Sequence, residues 1–198
     1  TGLGYVGLQV GLAFSKKFKS IGYDINSQRI KQLKNLNDNT KEVSQKDLKN
    51  SKIIFTNNIY ELREANFHIV AVPTPINKNK EPDLSNIISA SKNIGKILKK
   101  KDIVVFESTV FPGLTEEVCI PILEKFSKLK NLKDFEVGYS PERINPGDKK
   151  NNFEKLNKLD SSQTSKSLNI IYNAYSKVTK GKIYKTKNIK IAEAAKVI

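Results

Sequence analysis

Thr1-Gly2-Leu3-Gly4-Tyr5-Val6-Gly7 places three glycines in the G-x-G-x-x-G spacing at the start of the chain. That spacing constrains the fold more than any other feature, because each glycine answers a separate steric demand. In a strand-to-helix turn, Gly2 permits the tight bend and Gly4 lets the backbone approach a pyrophosphate. Gly7 lets the helix pack close to the strand. The helix that follows presents free N–H groups and the positive end of its dipole to an anion. A turn starting at residue 2 lacks the strand that would feed it, and the sequence contains no methionine. The expectation is therefore a fragment, truncated at both ends, because the helical pattern at its far end carries no stop signal.

The second constraint is an acid. Lys19 to Asp24 reads as a short strand ending in Asp24, 22 residues after Gly2. The carboxylate that holds an adenosine ribose stands about 20 residues beyond such a turn. A carboxylate there accepts hydrogen bonds from the ribose hydroxyls and repels a 2′-phosphate, which favours NAD over NADP. Arg29 follows where it could lie over the adenine or ribose.

Further along, apolar runs alternate with helical patterns, the signature of an α/β, Rossmann-like, doubly wound parallel sheet. Strands are expected at Ile53–Phe55, Phe67–Val72, Ile103–Phe106, Phe135–Tyr139 and Lys182–Tyr184. Helices are expected over Leu8–Lys17, Ile59–Glu64, Asp83 (as N-cap) to Leu98, Thr115–Phe126, Ser165–Val178 and from Ile189 onward. His68, inside a strand pattern, reads as structural.

Composition excludes more than it selects. The formal charge of +15 invites a nucleic-acid reading, but of 35 basic residues only Arg29, Arg63 and Arg143 are arginine. Base and phosphate recognition leans on arginine forks, and the lysines are scattered over helices and loops, so no nucleic acid is expected as partner. No apolar run approaches the ~20 residues of a membrane span, so no membrane is expected as partner. A lone cysteine, Cys119, rules out an internal disulfide and reads as a buried helix residue.

In open parallel sheets, ligands bind at the carboxyl ends of the strands. The unusual residues gather at such ends: Gly2–Gly7, Asp24, Pro73-Thr74-Pro75, Ser108-Thr109 and Ser140–Asp148. At this point the chain resembles the UDP-glucose/GDP-mannose dehydrogenases, the nucleotide-sugar 6-dehydrogenases. The strings that carry the resemblance are GLGYVGL at 2–8, YDIN at 23–26, VAVPTP at 70–75, ESTVFPG at 107–113, YSPERINPGD at 139–148 and AEAAKVI at 192–198. It is most similar to members acting on UDP-N-acetylhexosamines for capsule or O-antigen synthesis.

The resemblance implies roles residue by residue. Tyr5 and Val6 would contact the NAD pyrophosphate, Asp24 and Arg29 the adenosine ribose, and Thr74 and Thr109 the nicotinamide half of the cleft. Glu142 matches an acid/base glutamate, Arg143 and Ile144 the place where substrate is held, and Lys196 a lysine that stabilises negative charge or shuttles a proton at C6. Members of the family oxidise a primary alcohol to a carboxylate in two hydride transfers, through a thioester on a cysteine. That cysteine lies downstream of the AEAAK helix and is not Cys119. The resemblance further implies a UDP-sugar partner, a cytoplasmic setting and a homodimer or larger assembly. It divides the chain into an NAD-binding part, 1–188, and the start of a helix leading to a central domain, 189–198. Where the family has a Val-Ser-Gly-like turn, this chain has Leu156-Asn157-Lys158-Leu159-Asp160 without the glycine. Two other readings stay open: a single-step β-hydroxyacid-type dehydrogenase, and a non-catalytic NAD-binding module.

Overall fold

A computed structural model describes residues 1–142, 144 and 153–197, the side chain of Val197 excepted. Arg143 and the Asn145–Asp148 run, both singled out from the sequence, lie outside the described residues.

The strands are β1 (Ile21–Tyr23), β2 (Ile54–Thr56), β3 (Phe67–Val70), β4 (Ile103–Phe106), β5 (Glu136–Tyr139), β6 (Lys158–Ser162) and β7 (Ile183–Thr186). One ladder pairs β1 with β2, and a second runs β3-β4-β5-β6-β7. Thr1 and Gly2 lie between the two ladders and bond to both. The Thr1 amine donates to the Ile69 carbonyl at 2.7 Å, Ala71 N–H donates to Thr1 at 2.9 Å, and Gly2 N–H donates to Tyr23 at 2.9 Å. The glycine turn is thereby held at the centre of the sheet.

The helices are α1 (Tyr5–Ser15), α2 (Ser27–Lys34), α3 (Gln45–Asn50), α4 (Ser85–Gly95), α5 (Ile120–Ser127), α6 (Ser165–Ser176) and α7 (Ile189–Val197). β4 shows why the layers form. All four residues of Ile-Val-Val-Phe are buried, because successive side chains face opposite sides of the sheet and both sides are covered. Ile103 and Val105 join a cluster with Val10, Phe14 and Ile171 from α1 and α6. Val104 and Phe106 join Ile87, Ile94 and Leu123 from α4 and α5. Each such burial stabilises by roughly 1.5–3 kcal/mol. Ile189 and Ala192 of α7 belong to the same core as α4 and α5.

Local chemistry explains most boundaries. Asn26 caps α2 by accepting from Gln28 and Arg29 N–H, and Ser44 with Asp47 forms a capping box on α3. Asp83, expected as the N-cap of α4, stands one residue too early. Leu84 occupies the cap position, while Asp83 accepts from Ser85 N–H at 2.9 Å. Thr115–Cys119 runs as a π turn into α5, next to Pro121, which has no N–H to donate.

The doubly wound parallel sheet carries one antiparallel pairing. β6, read from the sequence as a polar stretch, is a buried strand antiparallel to β5. Its polar side chains find partners on neighbouring elements. Lys158 pairs with Glu107 at 3.4 Å, Ser140 Oγ donates to Asp160 at 2.8 Å, and Ser161 and Ser162 donate to the Tyr139 and Val137 carbonyls. Those bonds offset the desolvation that would otherwise exclude such residues from a core.

Candidate functional site

At the glycine turn, crowding and openness divide the three glycines. A Cβ on Gly2 would stand 2.8 Å from the Ala71 carbonyl oxygen, and Gly2 itself has φ +83°. A Cβ on Gly7 would stand 1.8 Å from the Gly2 oxygen. Nothing lies within 4 Å of a Cβ on Gly4. Gly2 and Gly7 thus serve the fold, whereas Gly4 leaves a cradle open above the start of α1. No side chain caps that helix, and its first turn holds no acid. An anion therefore meets N–H donors and the positive dipole end with no competing carboxylate on the helix.

Asp24 completes this end. Its carboxylate accepts from Leu3 N–H at 2.7 Å and Asn26 N–H at 2.9 Å. Each oxygen retains acceptor capacity. Asp24 lines a cavity of about 300 Å³ together with Leu3, Gly4, Asn26, Arg29 and Thr40. Arg29 thus stands at the wall of the cavity that Asp24 lines. Its guanidinium is buried, donating to the Leu3 carbonyl at 2.8 Å and to Asn39, and it pairs with Asp38 at 2.8 Å. Burial alone would raise the Asp38 carboxyl, but bonds from Thr40, Arg29 and the Val43 backbone hold it below its ordinary value. Arg29 therefore braces the glycine turn through the Leu3 carbonyl while lining the same cavity. The Asp38-Asn39-Thr40 turn that anchors it had a legible polar signature, yet sequence reasoning passed over it.

The next strand ends are laced together by hydroxyls. Thr74 Oγ1 donates to the Thr109 carbonyl and Ser108 Oγ to the Val72 carbonyl, both at 2.6 Å. Tyr139 OH donates to the Ser108 carbonyl at 3.1 Å. Thr109 is exposed at the strand end. Val6 and Ile144 are core residues, so any contact Val6 makes with a bound anion runs through its N–H. Tyr5 opens α1 and is exposed, and its phenol is raised by partial burial and then by the charges of Glu142 and Glu42.

Glu142 and Lys196, 54 positions apart, meet here. Lys196 Nζ donates to the Glu142 carbonyl at 2.8 Å and to Oε1 at 3.1 Å, while Oε2 accepts from Ile144 N–H at 2.7 Å. Glu142 is buried and Lys196 half-buried. A carboxylate and an ammonium so placed can hold a proton and stabilise an oxyanion. Cys119, by contrast, is fully buried, and burial pushes its thiol up to about 12, so it stays protonated. His68 is buried against Asp102 at 3.2 Å, a structural pair. Among the described residues no three His, Cys, Asp or Glu side chains converge as metal ligands.

An open glycine turn on a helix N-terminus, in register with an acid at the end of the next parallel strand, belongs to a dinucleotide-binding α/β domain. The family model described as "UDP-glucose/GDP-mannose dehydrogenase family, NAD binding domain" matches residues 1–179, and the chain belongs to that family. It is 54% identical to Protein CapL of Staphylococcus aureus over 197 residues, covering 100% of this chain and 46% of that protein. It is 48% identical to the UDP-N-acetyl-D-glucosamine 6-dehydrogenase of Pseudomonas aeruginosa, covering 100% of this chain and 47% of the relative. The solved UDP-D-ManNAc dehydrogenase of Pyrococcus horikoshii superposes with a TM-score of 0.86 at 29% identity, over 99% of this chain and 48% of that one. The chain spans about half the length of the curated relatives it matches.

Proposed function

We propose that this chain is the cofactor-binding half of an NAD-dependent nucleotide-sugar 6-dehydrogenase that oxidises the C6 hydroxyl of a UDP-N-acetylhexosamine to the uronate. The observation that carries the reading is the meeting of Lys196 with both the carbonyl and the carboxylate of Glu142, just beyond the carboxyl end of β5, a strand of the same ladder as β3, to which the glycine turn is bonded. Gly2 to Gly7 would hold the pyrophosphate and Asp24 the ribose, with Thr74 and Thr109 shaping the wall beyond. When bound there, NAD supplies the hydride acceptor. The chain's own residues do the rest. The Lys196 ammonium holds positive charge beside the reacting carbon, where an alkoxide or tetrahedral oxyanion develops. The Glu142 carboxylate orients or deprotonates the attacking water. Arg143 and Ile144 belong to the segment that would hold the sugar nucleotide. Cys119 takes no part, and the nucleophilic thiol comes from outside these residues.

The same reading makes the working protein a cytoplasmic homodimer or larger assembly, with residues 189–198 leading from the NAD-binding part toward a central domain. No helix among the described residues is long and apolar enough to cross a membrane. The experiment is to supply the gene product containing this chain with NAD and a panel of UDP-sugars, and to count NADH per sugar consumed. Two NADH per sugar are expected. One would establish a single-step alcohol dehydrogenase, and none with NAD still bound would leave a non-catalytic NAD-binding module.

A further inference from the structure

We infer that Glu193 is the positioning residue that aims Lys196 at Glu142; the inference rests on the role proposed for Lys196. Glu193 is fully buried on α7, and both its carboxylate oxygens accept backbone N–H bonds from a single turn. Oε2 accepts from Gly113 at 2.6 Å and Oε1 from Thr115 at 3.0 Å. Thr115 opens the helical run that continues through α5 to Ser127. The carboxylate therefore caps another element's N-terminus, where the dipole and unpaired N–H groups favour a negative charge. A buried carboxylate without such partners is strongly disfavoured, so these two bonds fix where α7 can sit.

The geometry carries that constraint to the site. Glu193 and Lys196 are three residues apart, on one face of the helix and nearly one turn removed. A helical turn is stiff, so clamping Glu193 sets the origin of the Lys196 side chain. Gly113 also ends the segment that begins at Thr109, and at φ +99° it adopts a conformation that favours glycine. One carboxylate thereby ties the Thr109 strand end to the Lys196 ammonium. A purely structural cap would stabilise α5 and leave the Lys196 environment to Glu142 alone.

The test uses the gene product containing this chain and the variant Glu193→Gln. The amide keeps one acceptor oxygen but turns an NH₂ group toward the second N–H. Three quantities are read: thermal unfolding, acylation of Lys196 mapped by mass spectrometry against exposed Lys100 (73% exposed), and kcat and KM with NAD and UDP-sugar. The expected result is a folded protein whose Lys196 acylates about tenfold faster relative to Lys100, with kcat reduced about tenfold or more and KM for NAD unchanged. Unchanged Lys196 acylation in a folded variant overturns the positioning role. Faster acylation with kcat unchanged keeps the positioning role and instead defeats the chemistry proposed for Lys196. If Glu193→Gln does not fold, Glu193→Asp decides by the same acylation measurement. It keeps the charge one methylene shorter, and full protection of Lys196 there overturns the inference.

Discussion

The glycine turn and the cluster around Glu107 both lie near the centre of the sheet, but they are made of different materials. At the turn, the backbone sets the geometry: a φ of +83° at Gly2, N–H groups at the start of α1, and carbonyl oxygens packed against glycine. Around Glu107, side chains set it. Glu107, Lys158, Asp160 and Tyr175 are almost wholly buried, and the Lys158 ammonium lies 5.0 and 4.5 Å from the Phe153 and Tyr175 ring centroids. Tyr175 OH donates to the same Glu107 oxygen that faces Lys158. The first region tolerates no added atom at two positions and welcomes a ligand at a third. The second depends on the pairing of Glu107 with Lys158. Steric rules thus govern one and electrostatic balance the other, and the two fail under different substitutions.

The sharpest way to separate them is a pair of alanines. Gly7→Ala would put a methyl 1.8 Å from a backbone oxygen that cannot move without dragging Thr1 and the central ladder. A loss of more than about 4 kcal/mol is expected, in the exceptional range for a point change. Gly4→Ala meets nothing within 4 Å. Its stability in urea unfolding should stay within about 0.5 kcal/mol of wild type, while NAD binding, read by calorimetry, weakens. Equal destabilisation by both would show that the turn is not the close-packed backbone device described above.

The second region should break by charge. Lys158→Met keeps length and apolar bulk but leaves Glu107 buried without its cation. A loss of about 3 kcal/mol is expected, because an uncompensated buried charge costs more than the pair was worth. Adding Glu107→Gln should recover most of it, since the uncharged amide at that position could still accept from Tyr175. The urea midpoints of wild type, both single variants and the double variant measure that coupling. Additive effects would mean that Lys158 acts through packing on the rings alone.

This difference also sets what the sequence discloses. The glycine turn and Asp24 are legible because their geometry is local: spacing along the chain is spacing in space. β4 is legible because its apolar run admits one environment. The caps Asn26 and Ser44 with Asp47 were equally local signals, and with them α2 and α3 were open to prediction. β6 was not. Lys158-Leu159-Asp160-Ser161-Ser162 reads as polar, and partners on β5, β7, α6, Glu107 beyond the end of β4, and Ser140 make it a core strand. Glu193 was hidden for the same reason, its two N–H donors lying 78 and 80 positions away. Glu142 and Lys196 were reached through family resemblance, since nothing in periodicity joins residues 54 apart.

The smallest effect tests whether the buried cluster behaves as an electrostatic unit at all. Burial pushes the Asp160 carboxyl up from 3.8 to about 6, the Lys158 charge and the Ser140 hydroxyl pulling it back and Glu107 adding to the rise. Lys185 also faces it and lowers it slightly. An acid whose folded value lies above its unfolded value binds protons more tightly in the native state. The native protein is therefore favoured at low pH, and the penalty grows as pH rises from the unfolded value to the folded one. Asp160→Asn removes that titration and leaves an amide oxygen for Ser140. Its stability relative to wild type should improve by about 1.5 kcal/mol between pH 5 and pH 8. Urea unfolding at the two pH values measures this directly. A difference that does not change with pH would mean that Asp160 is ionised throughout this range, its charge held by Lys158.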